Sequence, residues 1–370
     1  MKLLIATDSY LPRWDGISRF LTETVPFLEK DFEVHIIAPA LGMISDEKIT
    51  RVSLSPWSAG DYSFAKFAWF TLGRAMRGSN VVFTQSIGPI GGLAIIRAKL
   101  MRIPVVAYIH SIEYDLASKA VELPVMKRWA KAFVLWLSKR LYRMCSLLIV
   151  PSEGVQEILD MHNLSTRKTI ISLGVDAEKF VPGTNAKLRE SLGIAKDAFV
   201  IGYHGRLSRE KDLLTLLRAY ARLERSGLNV RLLIVGDGIK SLKKTLEKRG
   251  AICVGSQDDV LPYLHVMDAY ALTSLTETTS LTTLEAMACG LPVVATEVGL
   301  VKEYVNDGKN GFLIKPKDTY KLFLHLKELA ENKKLRADIG DAARKSVMRG
   351  WNWKTTAQKL KQELEGVAKK

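Results

Sequence analysis

Short apolar runs rich in Val and Ile recur along the chain, separated by stretches with helical spacing. The first half carries "LLIAT", "VHIIAP", "VVFT", "VVAYIH", "LLIV" and "TIIS". The second carries "FVIGYH", "RLLIVG", "AICV", "AYALT", "PVVAT" and "GFLI". Strands this uniformly apolar are covered on both faces, which predicts α/β architecture with parallel sheets. The alternation runs through twice, so two Rossmann-like, doubly wound domains are expected. Between them "SLGVDAEKFVPGTN", punctuated by Gly174, Pro182 and Gly183, reads as a polar connector. The expected boundaries are 1–176 for an N-terminal domain and 177–349 for a C-terminal one. Residues 350–370 follow with a tryptophan pair and then Leu360, Leu364 and Val367 on one helical face. That helix either caps the second domain or crosses back to the first. Two such domains facing each other place a ligand cleft between their strand ends.

Length agrees with this division, because 370 residues exceed one typical core. The composition, 47% hydrophobic and 25% charged, is that of a globular protein. Cys145, Cys253 and Cys289 lie far apart in apolar surroundings, as reduced, buried thiols of a cytosolic protein would. The opening "MKLLIATDSY" is too short for a secretory apolar region and reads as a first strand. The most membrane-like stretch, "AFVLWLSKRLYRMCSLLIV", is broken by Lys139, Arg140 and Arg143, so no spanning helix is expected. The net charge of +15 is uneven: residues 61–150 hold thirteen Lys/Arg against four Asp/Glu. Such a surface favours an anionic partner.

The candidate chemistry concentrates in the second half. No histidine spacing suits a metal, no Asp-x-Asp appears, and the nucleotide phosphate loop G-x-x-x-x-G-K-[ST] is missing. Gly236 and Gly238 of "VGDG" fit a tight strand-to-helix turn as well as a dinucleotide fingerprint. "YHGRLSREKDLLTLLRAY" sets Arg206 and Lys211 around a turn after a strand, where two cations beside a helix start suit a phosphate. The competing reading is a solvated Arg206 and a Lys211 paired with Glu210. In "ETTSLTTLEAMACGLPVV", Glu277 and Glu285 stand eight residues apart. If all of it were helical they would be about 12 Å apart, beyond the roughly 5–9.5 Å of glycosidase acid pairs. Thr282 to Glu285 also spells a capping box, with Gly290 and Pro292 as stop signals. Alternatively the "TTSL" turn aims backbone N–H groups at an anion, with a glutamate on either side for neutral hydroxyls.

These motifs together resemble the family-4 retaining glycosyltransferases of the GT-B fold, also called glycosyl transferases group 1. The resemblance runs in order from "PRWDGISRF" through "HGRLSREK" and "IVGDG" to "SLTETTSLTTLEAMACGLPVVA" and "VNDGKNGFLI". It implies that Arg206 and Lys211 neutralise the donor diphosphate. Glu277 would hold sugar hydroxyls, Glu285 the ribose, and the backbone of Thr279, Ser280 and Leu281 the phosphates or sugar. Gly16 would lie across the cleft against the diphosphate, and His110 near the reacting sugar. The sequence departs from the family pattern at Asp15-Gly16, where Gly-Gly is usual, and in the threonines after Glu277. It also has Leu173 where Asn is common.

The implied reaction is metal-independent transfer, with retention, from a nucleotide-diphosphate sugar, UDP-sugar first, without a cofactor. "MKRWAKAFVLWLSKRLYRM" predicts a helix with Phe133, Val134, Leu137 and Leu141 on one face and cations and Trp129 and Trp136 elsewhere. Basic residues mixed with Trp suit an anionic membrane surface. The expected acceptor is therefore a membrane lipid or lipid-linked saccharide, and the expected location peripheral on the cytoplasmic face. Two alternatives are a nucleotide-sugar epimerase of the same fold and a non-catalytic nucleotide-sugar-binding protein. No nucleic-acid-binding motif accompanies the charge.

Overall fold

The computed structural model describes residues 1–13, 15–42, 46–59, 62–110 and 124–369. They divide into two compact units, Met1–Leu173 with Trp353–Lys370, and Gly174–Asn352. The chain therefore changes unit at Gly174 and Trp353, where the connector and the tryptophan pair had suggested 177 and 350.

The first unit contains β1 (Lys2–Ala6), β2 (Glu33–Pro39), β3 (Ile49–Val52), β4 (Leu54–Ala59), β5 (Tyr62–Ala65), β6 (Val81–Thr84), β7 (Val105–Tyr108), β8 (Leu147–Val150) and β9 (Lys168–Ile170). Seven of them form one sheet in the order β3-β2-β1-β6-β7-β8-β9, with β1 parallel to both β2 and β6. Leu3, Leu4 and Ile5 are fully buried, because helices cover both faces of the sheet. The strand β3 and the antiparallel hairpin β4-β5 were not expected. "ITRV" sits at the sheet edge, largely half-buried, and lacks the long apolar run that marks the inner strands.

The C-terminal helix Trp353–Ala368 joins this unit. Its apolar face, with Trp353, Leu360, Leu364 and Val367 buried, lies beside the helix Gly16–Leu28. Thr356 donates to the carbonyl of Ser172 at 2.9 Å, and Lys361 pairs with Asp31 at 2.7 Å.

The second unit contains β10 (Phe199–His204), β11 (Val230–Val235), β12 (Ile252–Cys253), β13 (Ala269–Leu272), β14 (Val293–Thr296) and β15 (Phe312–Ile314). They form one parallel sheet in the order β12-β11-β10-β13-β14-β15. Alternate residues enter two separate cores. Val200 joins Leu284, Ala286 and Met287 on one face, and Ile201 and Tyr203 join Leu213, Leu216 and Tyr220 on the other. Each sheet reverses its strand order once, between β1 and β6 in the first unit and between β10 and β13 in the second. Such reversals open a crevice at the carboxyl ends of the strands, where ligands bind in doubly wound folds. Cys145 and Cys289 are buried free thiols that burial pushes up to about 12, and Cys253 is partly exposed.

Candidate functional site

At the reversal in the second unit, the loop after β13 leads into the helix Leu281–Ala288. Glu277 lies in that loop, ahead of the helix, so the all-helical spacing of the two glutamates does not apply. Its Oε1 accepts from Lys211 Nζ and from Ser274 Oγ, both at 2.6 Å. The loop is tied down on several sides. Leu275 N–H donates to the carbonyl of Glu210 at 2.7 Å, and Thr273 donates to that of Lys211 at 2.9 Å. Tyr304 donates to the carbonyl of Thr279 at 2.7 Å, and Leu300 N–H to that of Thr278 at 2.8 Å. A side chain at Gly299 would come within 2.2 Å of the Glu277 carbonyl, so this close approach needs glycine. A loop fixed at this many points presents its polar groups preorganised.

The helix end itself departs from the predicted capping box. Ser280, not Thr282, is the N-cap, held in the left-handed region at φ 55°, and its side chain makes no capping bond. Its hydroxyl turns instead to Thr283 Oγ1 at 2.8 Å. Among the described residues no side chain accepts from the N–H groups of Leu281 and Thr282. A helix start in this condition carries partial positive charge toward an anion. Backbone strain at Ser280 and the buried, unpartnered Thr279 Oγ1 fall at the same place.

Glu285 points into the fold. Its Oε2 lies 2.6 Å from His204 Nε2, with the two side chains only 3% and 4% exposed. The alternation along β10 explains the meeting: His204 falls on the Val200 face, which the helix Leu281–Ala288 covers, one turn from the helix start. Arg206 is two-thirds exposed and pairs with Glu210 at 2.8 Å, so Glu210 partners Arg206 while Lys211 partners Glu277. Gly236 and Gly238 have the bland explanation. Side chains there would strike the carbonyls of Gly205 and Leu207 at 2.0 and 2.2 Å, where two strand-end loops pack backbone to backbone.

Gly16 and His110 belong to the first unit. Gly16 opens its helix with free space around it, but Asp15 already accepts from the N–H groups of Ile17 and Ser18, each at 3.0 Å. His110 follows the end of β7 by two residues and donates from Nε2 to Gln85 Oε1 at 2.7 Å, with its ring stacked on Tyr108 at 4.3 Å. Burial pushes its imidazole down to about 3, which keeps the ring neutral at neutral pH. At this unit's own reversal, Asp8 caps the helix Pro89–Leu100, accepting from Ile90 and Gly91 N–H at 2.7 and 3.0 Å. A side chain at Gly88 would come within 2.6 Å of that carboxylate.

The predicted membrane-facing helix, Pro124–Tyr142, buries Leu141 but not Phe133, which joins Trp129 and Trp136 among the exposed aromatics. The buried stripe passes through Leu137, Ser138 and Leu141 instead. Phe67 and Phe70 are also more than 70% exposed. Among the described residues no cluster of His, Cys, Asp or Glu could hold a metal, and no helix is long and apolar enough to cross a membrane.

Sequence reasoning missed His204, Ser274, Gly299 and Tyr304. Only His204 carried a signal, as a polar residue ending an otherwise apolar strand. The other three act through contacts that no local pattern reveals.

Comparison with known proteins adds a further line. The family described as Glycosyltransferase Family 4 matches residues 14–179, and Glycosyl transferases group 1 matches residues 184–346. The alpha-monoglucosyldiacylglycerol synthase of Acholeplasma laidlawii is 26% identical over 90% of this chain and 89% of its own length. The lipopolysaccharide 1,2-N-acetylglucosaminetransferase of Salmonella typhimurium is 28% identical over 59% of this chain and 61% of its own length. Among solved structures, HepE of Anabaena, in complex with UDP and glucose, superimposes with a TM-score of 0.79 at 21% identity, covering 99% of this chain and 100% of that one. The fold is that of the GT-B glycosyltransferases.

Proposed function

This chain belongs to the family-4, group 1 glycosyltransferases, and from that membership we propose that it moves a sugar from a nucleotide-diphosphate sugar to a membrane lipid or lipid-linked saccharide. The observation that carries the donor side is the uncapped start of the helix Leu281–Ala288, with Lys211 and Glu277 beside it. The diphosphate lies at this helix end, neutralised by Arg206 and Lys211 and by the backbone of Thr279, Ser280 and Leu281. Its arrival replaces carboxylates as the partners of both cations. Glu277, released from Lys211, takes hydroxyls of the sugar, and Glu285 takes the ribose. UDP is the first nucleotide to test, because the HepE structure was solved with UDP.

The reaction breaks the bond between the anomeric carbon and the diphosphate oxygen and forms one to the acceptor oxygen on the same face. A departing phosphate oxygen takes the acceptor proton, so configuration is retained. The main catalytic task is to stabilise charge developing on the diphosphate. Two cations and a helix end suit that task, which is why we propose transfer without a metal or cofactor. Gly16 and a neutral His110 serve the same reaction from the first unit, His110 as a hydrogen-bonding group near the sugar.

On the acceptor side, the exposed aromatics of the first unit lie among cations. Arg74, Arg77 and Arg97 line a pocket with Phe70 and Met101, and Lys131 and Arg140 accompany Trp129 and Trp136. Aromatic and basic residues in this mixture suit the interface of an anionic membrane, here peripherally and on its cytoplasmic side. A glycolipid acceptor accords with the name of the Acholeplasma laidlawii relative.

The test is a panel of UDP-, GDP- and ADP-sugars with a membrane lipid extract and EDTA, read by mass spectrometry. A sugar-bearing lipid from one donor is expected. Absence of both transfer and donor hydrolysis across the panel overturns the reading, and donor isomerisation without acceptor points to an epimerase.

A further inference from the structure

His204 ends β10 on the side of the sheet that faces a large apolar cluster. Val200 on the same strand, and Leu284, Ala286 and Met287 on the helix Leu281–Ala288, belong to one hydrophobic cluster. An aliphatic residue would complete that cluster. The chain instead buries a histidine against a carboxylate, Nε2 to Oε2 at 2.6 Å. Buried polar pairs of this kind contribute little to stability compared with an apolar replacement, so stability alone does not explain the choice.

The rest of the environment defines the state of the ring. Nδ1 is buried and has no hydrogen-bond partner. A proton there would be a buried, unsatisfied donor, whereas a bare lone pair costs less. The geometry thus places a proton on Nε2, donated to Glu285. Tyr270 holds the residue in place from the next strand: its ring meets that of His204 edge-on at 5.3 Å, and its hydroxyl donates to the His204 carbonyl at 3.2 Å. The same hydroxyl lies 3.0 Å from Thr282 Oγ1, on the helix that carries Glu285. Strand end, tyrosine and helix therefore form one connected unit around the carboxylate.

We propose that His204 is a positioning residue for nucleotide recognition: its Nε2–H fixes the Glu285 carboxylate in the rotamer that receives the ribose hydroxyls of the donor. The inference deepens the donor-site reading above and rests on it. Without the Nε2–H, the carboxylate loses a buried donor and its orientation is less tightly set. The sugar and diphosphate contacts, which belong to Glu277, Lys211 and the helix end, are unaffected. His204 therefore contributes to discrimination between ribose and deoxyribose rather than to general affinity.

Calorimetric titration of the full chain tests this. Of UDP, GDP and ADP, the nucleotide that wild type binds most tightly is compared with its 2′-deoxy counterpart. For His204→Leu, binding of the ribonucleotide should weaken about tenfold, or about 1.4 kcal/mol, and binding of the deoxy form by no more than about twofold. His204→Gln, which returns an N–H near the Nε2 position, should restore most of the preference, and Glu285→Ala should abolish it. Equal losses for both nucleotides in His204→Leu, or no rescue by Gln in a variant that melts like wild type, would reduce His204 to a packing residue. A preference in wild type that Glu285→Ala removes and His204→Leu leaves intact overturns the inference alone. If wild type binds none of the three nucleotides, the donor-site reading falls, and this inference with it.

Discussion

Each unit contains a helix that begins at the reversal of its sheet, yet the two helix ends are finished differently. In the first unit the start of Pro89–Leu100 is filled from within: Asp8, buried and bonded to Ile90 and Gly91 N–H, occupies the place an anion would take. In the second unit no carboxylate among the described residues caps the start of Leu281–Ala288, its N-cap hydroxyl is turned aside, and Lys211 stands nearby on Glu277. The backbone physics is the same at both ends, since a helix start attracts negative charge. What differs is whether the chain itself supplies an acceptor for the N–H groups at that end. A self-capped end stabilises the fold, and an uncapped end in a rigid, polar loop is available to a ligand.

The sharpest way to break this contrast is to disable the open end. Glu277→Ala should lower transfer by about a hundredfold or more, as loss of a preorganised polar contact does. Its thermal melt should stay near that of wild type, and normal turnover in a steady-state assay would remove Glu277 from the mechanism. The mirror experiment is Asp8→Ala. Loss of a buried carboxylate that accepts two helix N–H groups should cost about 2 kcal/mol in a denaturant melt. Nucleotide affinity measured on the folded protein should not change. If affinity falls with stability, the two ends do not divide the work as described.

The smallest effect concerns His110. Its imidazole sits near 3, below the ordinary histidine value, because burial disfavours the charged form. The unfolded chain takes up that proton near pH 6.5, so stability linked to this residue is fully present above about 6.5 and is lost as pH falls toward 3. NMR of the ring should therefore record a neutral imidazole from pH 5 to 9. A titration near neutrality would instead make it an acid–base group.

Much of this was legible in the sequence and some was not, for identifiable reasons. The apolar runs marked all the inner strands, because burial on both faces leaves an unmistakable composition. Edge strand β3, with Arg51, and the hairpin β4-β5 lack that composition and went unseen. Glu277, Glu285, Arg206 and Lys211 were found as motif positions, but their partners were not. The bonds of Asp8 to Ile90 and of His204 to Glu285 span 82 and 81 residues, beyond any local pattern. The capping box failed for a related reason: Thr282 and Glu285 have the right spacing, but His204 draws Glu285 inward and the chain enters the helix through Ser280. Phe133 was grouped with Val134, Leu137 and Leu141 on one face by period alone, whereas it is exposed and Ser138 is buried beside Leu141.

The contrast between the two helix ends can be tested with one substitution. Ser280→Asp gives the open end the carboxylate that the closed end already has, at a backbone position in the left-handed region that Asp tolerates. Calorimetric titration with UDP should then show binding weakened about tenfold or more, while the melting temperature holds or rises. Unchanged UDP affinity in a folded Ser280→Asp protein would mean that the diphosphate does not lie at this helix end, and the account of the donor site would be wrong.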